Sequence, residues 1–293
     1  MSQEIQFPLS TVLYESGWCL IGLWNCVPTD PLWRRENVIG TRPIVALPWT
    51  SVVIDRSRRR NDLVDPNSAV FYRANEPYER RLISPRGDRC IFISPSAELL
   101  HDVLDEAQLE AQHDAFPFTV GPAVSRVTRA QHELGCALFN NRRLNPIEVE
   151  SSLTEILRML VGAAGRQMRR PCARPTQSTQ RAHRELVHNT KSVLAKSLDD
   201  PAGVMPFGIE SLGKCVHASP YHLCRVFKRE TGVTIGQYWM RLRLRSAAER
   251  LVWTDQSITN IAHRFGFSSH AHFTSSWSTE FGSPPSALRQ ARS

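Results

Sequence analysis

The sequence predicts an α+β chain. An N-terminal β-barrel of jelly-roll or cupin-like form carries a helical hairpin, and an all-α C-terminal domain follows, built from two helix-turn-helix units joined by a linker helix. Three observations predict this. Short apolar runs separated by turn sequences fill residues 10–95. Two segments with helical periodicity come next. From about residue 181 to the end, one helix-turn-helix pattern then occurs twice, with corresponding positions 49 or 50 residues apart. At 293 residues the chain is long enough for two domains with separate cores. The expected boundaries are 1–165 for the barrel with its two helices, 166–180 for a linker and 181–293 for the helical domain.

In the first region the apolar runs are 11–14, 19–24, 44–47, 51–54, 69–72, 78–83 and 89–93, punctuated by Asp65-Pro-Asn-Ser and Pro85-Arg-Gly-Asp turns. From Pro122 to Asn140, Val124, Val127, Leu134 and Leu138 lie on one helical stripe. From Asn145 to Val161, Asn145 is a predicted N-cap, Pro146 occupies the first helical position, and Glu148 sits three residues past the cap. Here Val149, Leu153, Ile156 and Leu160 alternate steps of four and three, as in a heptad seam, so the helices from Pro122 to Asn140 and from Asn145 to Val161 are expected either to form a homodimer surface or to pack on their own barrel. Residues 166–180, with two prolines and no apolar period, read as a solvated tether.

In the repeat, Ile209 corresponds to Ile258, Gly213 to Ala262 and His217 to Gly266, each 49 apart. Ser219 corresponds to Ser269, Leu223 to Phe273, Phe227 to Trp277 and Gly232 to Gly282, each 50 apart. The one-residue slip falls in the turn, where length can vary. A small residue at 213 and 262 allows close approach, and positions 217 and 266 need positive φ, which Gly adopts freely and His tolerates. Ser219 and Ser269 are N-caps, and Pro220 suits a first helical position. Leu223 with Phe227 and Phe273 with Trp277 face inward. The outward face of the first second-helix is then Tyr221, Cys224, Arg225 and Lys228. That of the second is His270, Ala271, Thr274, Ser275 and Ser278. Between the units, residues 234–252 read as one rod of roughly 28 Å, near the roughly 34 Å of one DNA turn. On it, Arg241 and Arg245 would contact phosphate or remain solvated.

Leu212, Ser219, Leu223, Arg225, Phe227, Lys228, Gly232, Tyr238, Arg243, Ala247, Ile258, Ile261, Ala262, Gly266, Phe267, Phe273, Gly282, Pro285 and Arg289 together resemble the DNA-binding domain of the AraC/XylS family of bacterial transcription regulators. The resemblance covers residues 181–290. It implies double-stranded DNA as partner, with Tyr221, Cys224 and Arg225 at base edges in the first unit and His270, Ala271, Thr274 and Ser275 in the second. It also implies a role as activator, RNA polymerase as a second partner, and an unknown small-molecule effector. The sequence from Asp65 to Tyr78 is similar, more loosely, to the strand-turn-strand of the family's sensor barrels. Ser275 and Ser278 replace basic residues usual in the family, so the first unit is expected to carry most direct readout, with Arg225 toward guanine.

Charge agrees. Net charge is +8, divided as −3 over residues 1–165, +4 over 166–180 and +7 over 181–293. The opening Met-Ser-Gln-Glu-Ile lacks a basic leader and no apolar run is long enough to span a bilayer, so a cytoplasmic protein without a membrane partner is expected. Seven cysteines without a C-x-x-C pair read as reduced thiols.

No catalytic, metal or cofactor site is predicted. No histidine precedes His101, so a metal-binding barrel lacks its ligands; His101, His113 and His132 read as surface or satisfied residues. Cys19, Cys26, Cys90 and Cys136 are too scattered for a four-cysteine centre. The Arg56, Arg58, Arg59 and Arg60 cluster reads as a solvated hairpin tip or an acidic-partner surface. Trp18, Trp24, Trp33, Trp49, Phe71, Tyr72 and Tyr78 are core or the lining of an effector pocket. The expected function is a sequence-specific, effector-responsive DNA-binding regulator. The alternatives are a ligand-independent dimeric regulator, or a barrel enzyme fused to a DNA-binding domain.

Overall fold

The computed structural model describes residues 8–57, 60–110, 115–140, 142–169, 176–200 and 208–291. The front half is built of ten strands: β1 Ser10–Glu15, β2 Cys19–Cys26, β3 Asn37–Val38, β4 Ile44–Pro48, β5 Val52–Ser57, β6 Arg60–Val64, β7 Ser68–Tyr72, β8 Pro77–Leu82, β9 Asp88–Pro95 and β10 Val120–Pro122. They form two antiparallel sheets, in the orders β1-β2-β9-β4-β7-β10 and β3-β8-β5-β6. The expected closed barrel is corrected to two open sheets. The residues from Asp65 to Ser68 carry the chain from one sheet to the other. The helices cover exposed edges, α3 (Pro146–Met168) lying against β10 and α4 (Gln177–Leu198) against β6.

Strand alternation builds two cores. On β4, Val45 and Leu47 face the helices while Ala46 faces the other sheet; on β7, Phe71 and Tyr72 divide in the same way; on β9, Ile91 and Ile93 oppose Cys90. Trp24, Tyr72 and Tyr78 line a cavity of about 740 Å³ between the sheets. Trp33 belongs to the same cluster, whereas Trp18, Trp49 and Phe71 pack on the helical side.

Three helices cover the first sheet: α1 (Ala97–Glu106), α2 (Ser125–Phe139) and α3. The sequence reading passed over α1, although Ser96 caps it by accepting the Leu99 N–H at 3.1 Å. Asn145 caps α3, accepting from the Ile147 N–H at 3.0 Å. A Cβ on Gly121 of β10 would come within 2.7 Å of the Ala164 Cβ of α3, so only glycine permits this approach. The expected dimer seam is corrected. Val149, Leu153, Ile156 and Leu160 are 0–1% exposed, because the stripe faces this chain's own core.

The expected tether overlaps regular structure, since α3 runs to Met168 and α4 starts at Gln177; residues 170–175, with Cys172, lie outside the described residues. So do Arg58, Arg59, His113 and the opening residues 1–7. Arg56 is not at a solvated tip. Its side chain is 5% exposed and pairs with Glu76 at 3.8 Å, and it donates to the carbonyls of Phe71 (2.9 Å) and Thr119 (3.2 Å).

The remaining helices are α5 Ile209–Cys215, α6 Pro220–Thr231, α7 Ile235–Trp253, α8 Ile258–Arg264, α9 His270–Phe281 and α10 Pro285–Gln290. The rod α7 does not stand free of the front half. Leu242, Leu244, Ala247, Ala248, Leu251, Val252 and Trp253 are buried in a core continuous with the first sheet's. Trp253 packs 5.6 Å from Trp49 and 5.5 Å from Phe139. Polar contacts frame this junction. Asp65 accepts from the Tyr238 hydroxyl, Asn67 donates to the Tyr238 carbonyl at 3.0 Å, and Glu249 pairs with Arg86 and Arg89. The expectation for Arg245 is corrected in consequence. It is buried, 3.2 Å from Glu280 and 3.1 Å from the Asn67 Oδ1, so it neither reaches phosphate nor is solvated. Among the described residues, no helix is long and apolar enough to cross a membrane.

Candidate nucleic-acid interface

The first unit comprises α5, a turn and α6. His217 in the turn has φ +54°, and the corresponding Gly266 has φ +71°. A Cβ on Gly213 would lie 2.7 Å from the Ala218 carbonyl, so the small residue is required by the turn backbone. The Ser219 hydroxyl accepts from the His222 N–H at 3.3 Å and Pro220 occupies the first turn. Gly232, at φ +81°, ends α6 with its N–H on the Lys228 carbonyl.

Leu223, Val226 and Phe227 fix the inward face of α6, all at 0% exposure. The opposite face is open. Tyr221 is 78% exposed, and Cys224, Arg225 and Lys228 are also exposed. The Arg225 guanidinium lies 6.0 Å from the Tyr221 ring. Among the described residues neither Arg225 nor Lys228 has a carboxylate partner, so both charges remain available to an external anion. Arg229, one residue on, differs. It pairs with Glu230 at 3.0 Å and contacts His183 of α4.

The second unit is α8, a turn and α9. Ser257 and Ser269 cap the two helices, accepting from the N–H groups of Asn260 and His272, each at 3.1 Å. Phe273, Trp277 and Phe281 anchor α9 inward. His270, Ala271 and Ser275 are exposed, whereas Thr274 and Ser278 are half-buried. The Thr274 hydroxyl itself is buried, so the face that Thr274 and Ser278 were expected to share is narrower than its spacing implied. At the far end of α9, Glu280 is turned toward α2 and α7. There it accepts from Ser125 of α2 at 2.6 Å and pairs with Arg241 (3.4 Å) and Arg245 (3.2 Å).

Sequence reasoning missed the side chains that position these units. Arg243 of α7 donates to the Phe265 carbonyl at 2.6 Å and stacks 4.0 Å from the Phe267 ring, pinning the second turn. Burial lowers its pKa to about 10. Arg129 of α2 donates to the Phe281 carbonyl at 3.3 Å and to Ser283 at 3.2 Å. For Glu249, burial pushes the carboxyl pKa up, but Arg86, Arg89 and Arg250 outweigh that and hold it down at about 2. No sequence signal marked Glu249, because its ion-pair partners Arg86 and Arg89 are far away in sequence. Among the described residues no group of three or more His, Cys, Asp or Glu could hold a metal ion.

Comparison with known proteins agrees with this geometry. The family described as "Helix-turn-helix domain" matches residues 212–291. The bifunctional transcriptional activator/DNA repair enzyme AdaA of Bacillus subtilis is 33% identical over 82 residues, 28% of this chain and 39% of that protein. The transcriptional activator RhaS of Pectobacterium carotovorum is 45% identical over 67 residues, 23% of this chain and 24% of that protein. The multiple antibiotic resistance protein MarA of Salmonella typhimurium is 32% identical over 84 residues, 29% of this chain and 66% of that protein. The aligned part thus spans less than two thirds of each relative. A solved AraC-type transcriptional regulator from Chromobacterium violaceum aligns over 39% of this chain and 96% of its own, at 27% identity and a TM-score of 0.34. Residues 212–291 thus form a helix-turn-helix domain similar to those of transcriptional activators such as RhaS, and the similarity is confined to that part of the chain.

Proposed function

We propose that the whole chain is a sequence-specific transcription regulator that binds double-stranded DNA through α6 and α9, acts as an activator in the cytoplasm, and responds to an effector held by its front half. The observation that carries this reading is the outward face of α6. There Arg225 and Lys228 lack carboxylate partners beside the exposed Tyr221, on a helix whose ends are capped and whose other face is buried. Residues 1–165 would be the sensor, its two sheets forming a jelly-roll-like sandwich, 166–180 the connection, and 181–293 the DNA-binding domain. Tyr221, Cys224 and Arg225 would read bases, Lys228 would meet phosphate, and His270, Ala271, Thr274, Ser275 and Ser278 would chiefly position the second helix. RNA polymerase would be the second macromolecular partner. A homodimer would need the outward faces of α2 and α3, such as the 71% exposed Ile147.

The test is selection of bound fragments from genomic DNA with the purified chain, followed by DNase protection. A recurrent site with two contacted major grooves on one face of the duplex is expected. Uniform retention of all fragments would refute sequence-specific regulation.

A specific observation favours a second reading, a regulator that needs no ligand. The packing of α7 against the front half through Trp49, Trp253, Arg89 and Glu249 holds the DNA-binding domain through this chain's own side chains. An unchanged DNA affinity with every effector tried would select that reading.

A further inference from the structure

We infer that the cavity between the two sheets is a binding site for a hydrophobic organic cation, a protonated amine on an aromatic or branched apolar body. The inference deepens the sensor reading of the front half and rests on it. The cavity measures about 740 Å³. Protein interiors are close-packed, with few voids larger than a water molecule, whereas small-molecule sites measure roughly 300–1,000 Å³. A space of this size falls within the range of small-molecule sites. Its walls are apolar and rich in rings, among them Trp24, Ile54, Tyr72, Tyr78 and Phe92.

The sign of the ligand's charge follows from the ionisable groups around it. Asp88 is buried at 8% exposure and lines the cavity. Its Oδ2 lies 3.2 Å from the Arg80 Nε, and the Arg80 side chain is 0% exposed. Arg80, which also donates to the Tyr78 hydroxyl at 2.5 Å, is not among the residues lining the cavity, whereas Asp88 is. At the exposed mouth stand Glu15, Glu36 and Arg42. Arg56, stacked 4.5 Å from the Tyr72 ring, is matched by Glu76. Counting Arg80, three carboxylates face two guanidinium groups, an excess of one negative charge. Burial pushes the Asp88 pKa up, against the pull of Arg80 and of a hydrogen bond from Trp24.

An anionic ligand would bring its charge against Asp88 at low dielectric. A neutral ligand would gain only apolar burial. An ammonium would donate a charge-assisted hydrogen bond to Asp88 and lie against the aromatic faces.

The test titrates the full chain, by calorimetry and tryptophan fluorescence, with three ligands sharing one skeleton: 4-phenylbutylamine, 4-phenylbutanol and 4-phenylbutyrate. The amine should bind at least about tenfold tighter than the other two. Asp88→Asn should reduce the amine to the affinity of the alcohol, and Ala46→Leu, which narrows the cavity, should weaken all three. If Asp88→Asn fails to fold, the Glu15→Gln/Glu36→Gln pair at the mouth must still lower the amine's preference at least about threefold; an unchanged preference overturns the inference. Equal or tighter binding of the alcohol or the acid overturns it, as does binding of none of the three. Adding DNA separates the two readings. Amine binding without a change in DNA affinity leaves this inference standing and removes the sensor reading. Acid binding with such a change does the reverse.

Discussion

Glu249, on the helix joining the two DNA-reading units, is buried 3.1 Å from the Arg89 guanidinium of the front sheet. Arg86 reaches the same carboxylate and also lies 3.5 Å from Asp199. The pair couples the two halves of the chain at a point where neither partner meets water.

Removing one member of such a pair strands the other. Glu249→Gln should destabilise the fold by about 3–5 kcal/mol, because two guanidinium groups lose their buried counter-charge. Urea unfolding would register the loss, and Glu249→Asp should recover part of it. A loss below about 1 kcal/mol would mean that water reaches Arg86 and Arg89.

The same carboxylate sets an acid limit. Its pKa falls from the usual 4.5 to about 2 in the folded chain, a depressed acid, so its stabilisation is complete above about 4.5 and is lost as pH falls toward 2. Melting temperature should drop through that window, and the drop should be smaller in Glu249→Gln. Equal acid sensitivity in both proteins would assign it to other carboxylates.

Arg225→Ala should weaken operator binding by about 1–3 kcal/mol and relax preference at one base pair. Competition with single-base operator variants measures this. An equal loss on all variants would make Arg225 a phosphate contact.

Ser275 is exposed on α9 and Ser278 half-buried. Ser275→Lys should therefore steepen the dependence of affinity on salt by about one unit of logarithmic slope, and Ser278→Lys by less. The reverse order would mean that α9 meets DNA through its other edge.

Two glycines give opposite expectations. Gly213→Ala places a Cβ 2.7 Å from a backbone carbonyl that cannot swing aside, and should cost about 1–3 kcal/mol. Nothing lies within 4 Å of a Cβ on Gly236, in the first turn of α7, so Gly236→Ala should be neutral or stabilise by up to about 1 kcal/mol. Thermal melting of the two variants decides it.

The tandem units were legible because their determinants are local. Caps at Ser219 and Ser269, positive φ at His217 and Gly266, and inward pairs such as Leu223 with Phe227 each depend on residues within a few positions. The strands were legible through alternation, as at Ile91 and Ile93 against Cys90. The short β3 and β10 escaped notice because two or three residues carry too little pattern, and β6 because it opens on three polar residues, Arg60, Asn61 and Asp62.

By itself, the sequence determined the helical repeat, the outward side chains of α6 and the α+β division, since hydrogen bonding and side-chain periodicity act over one or two turns. Only the tertiary structure decided that α7 is buried rather than solvated, that Arg245 serves Glu280, and that the stripe on α3 closes its own core instead of a dimer. Each of those outcomes pairs surfaces or charges far apart along the chain. A periodic apolar face states that it will be covered, and only folding selects the partner.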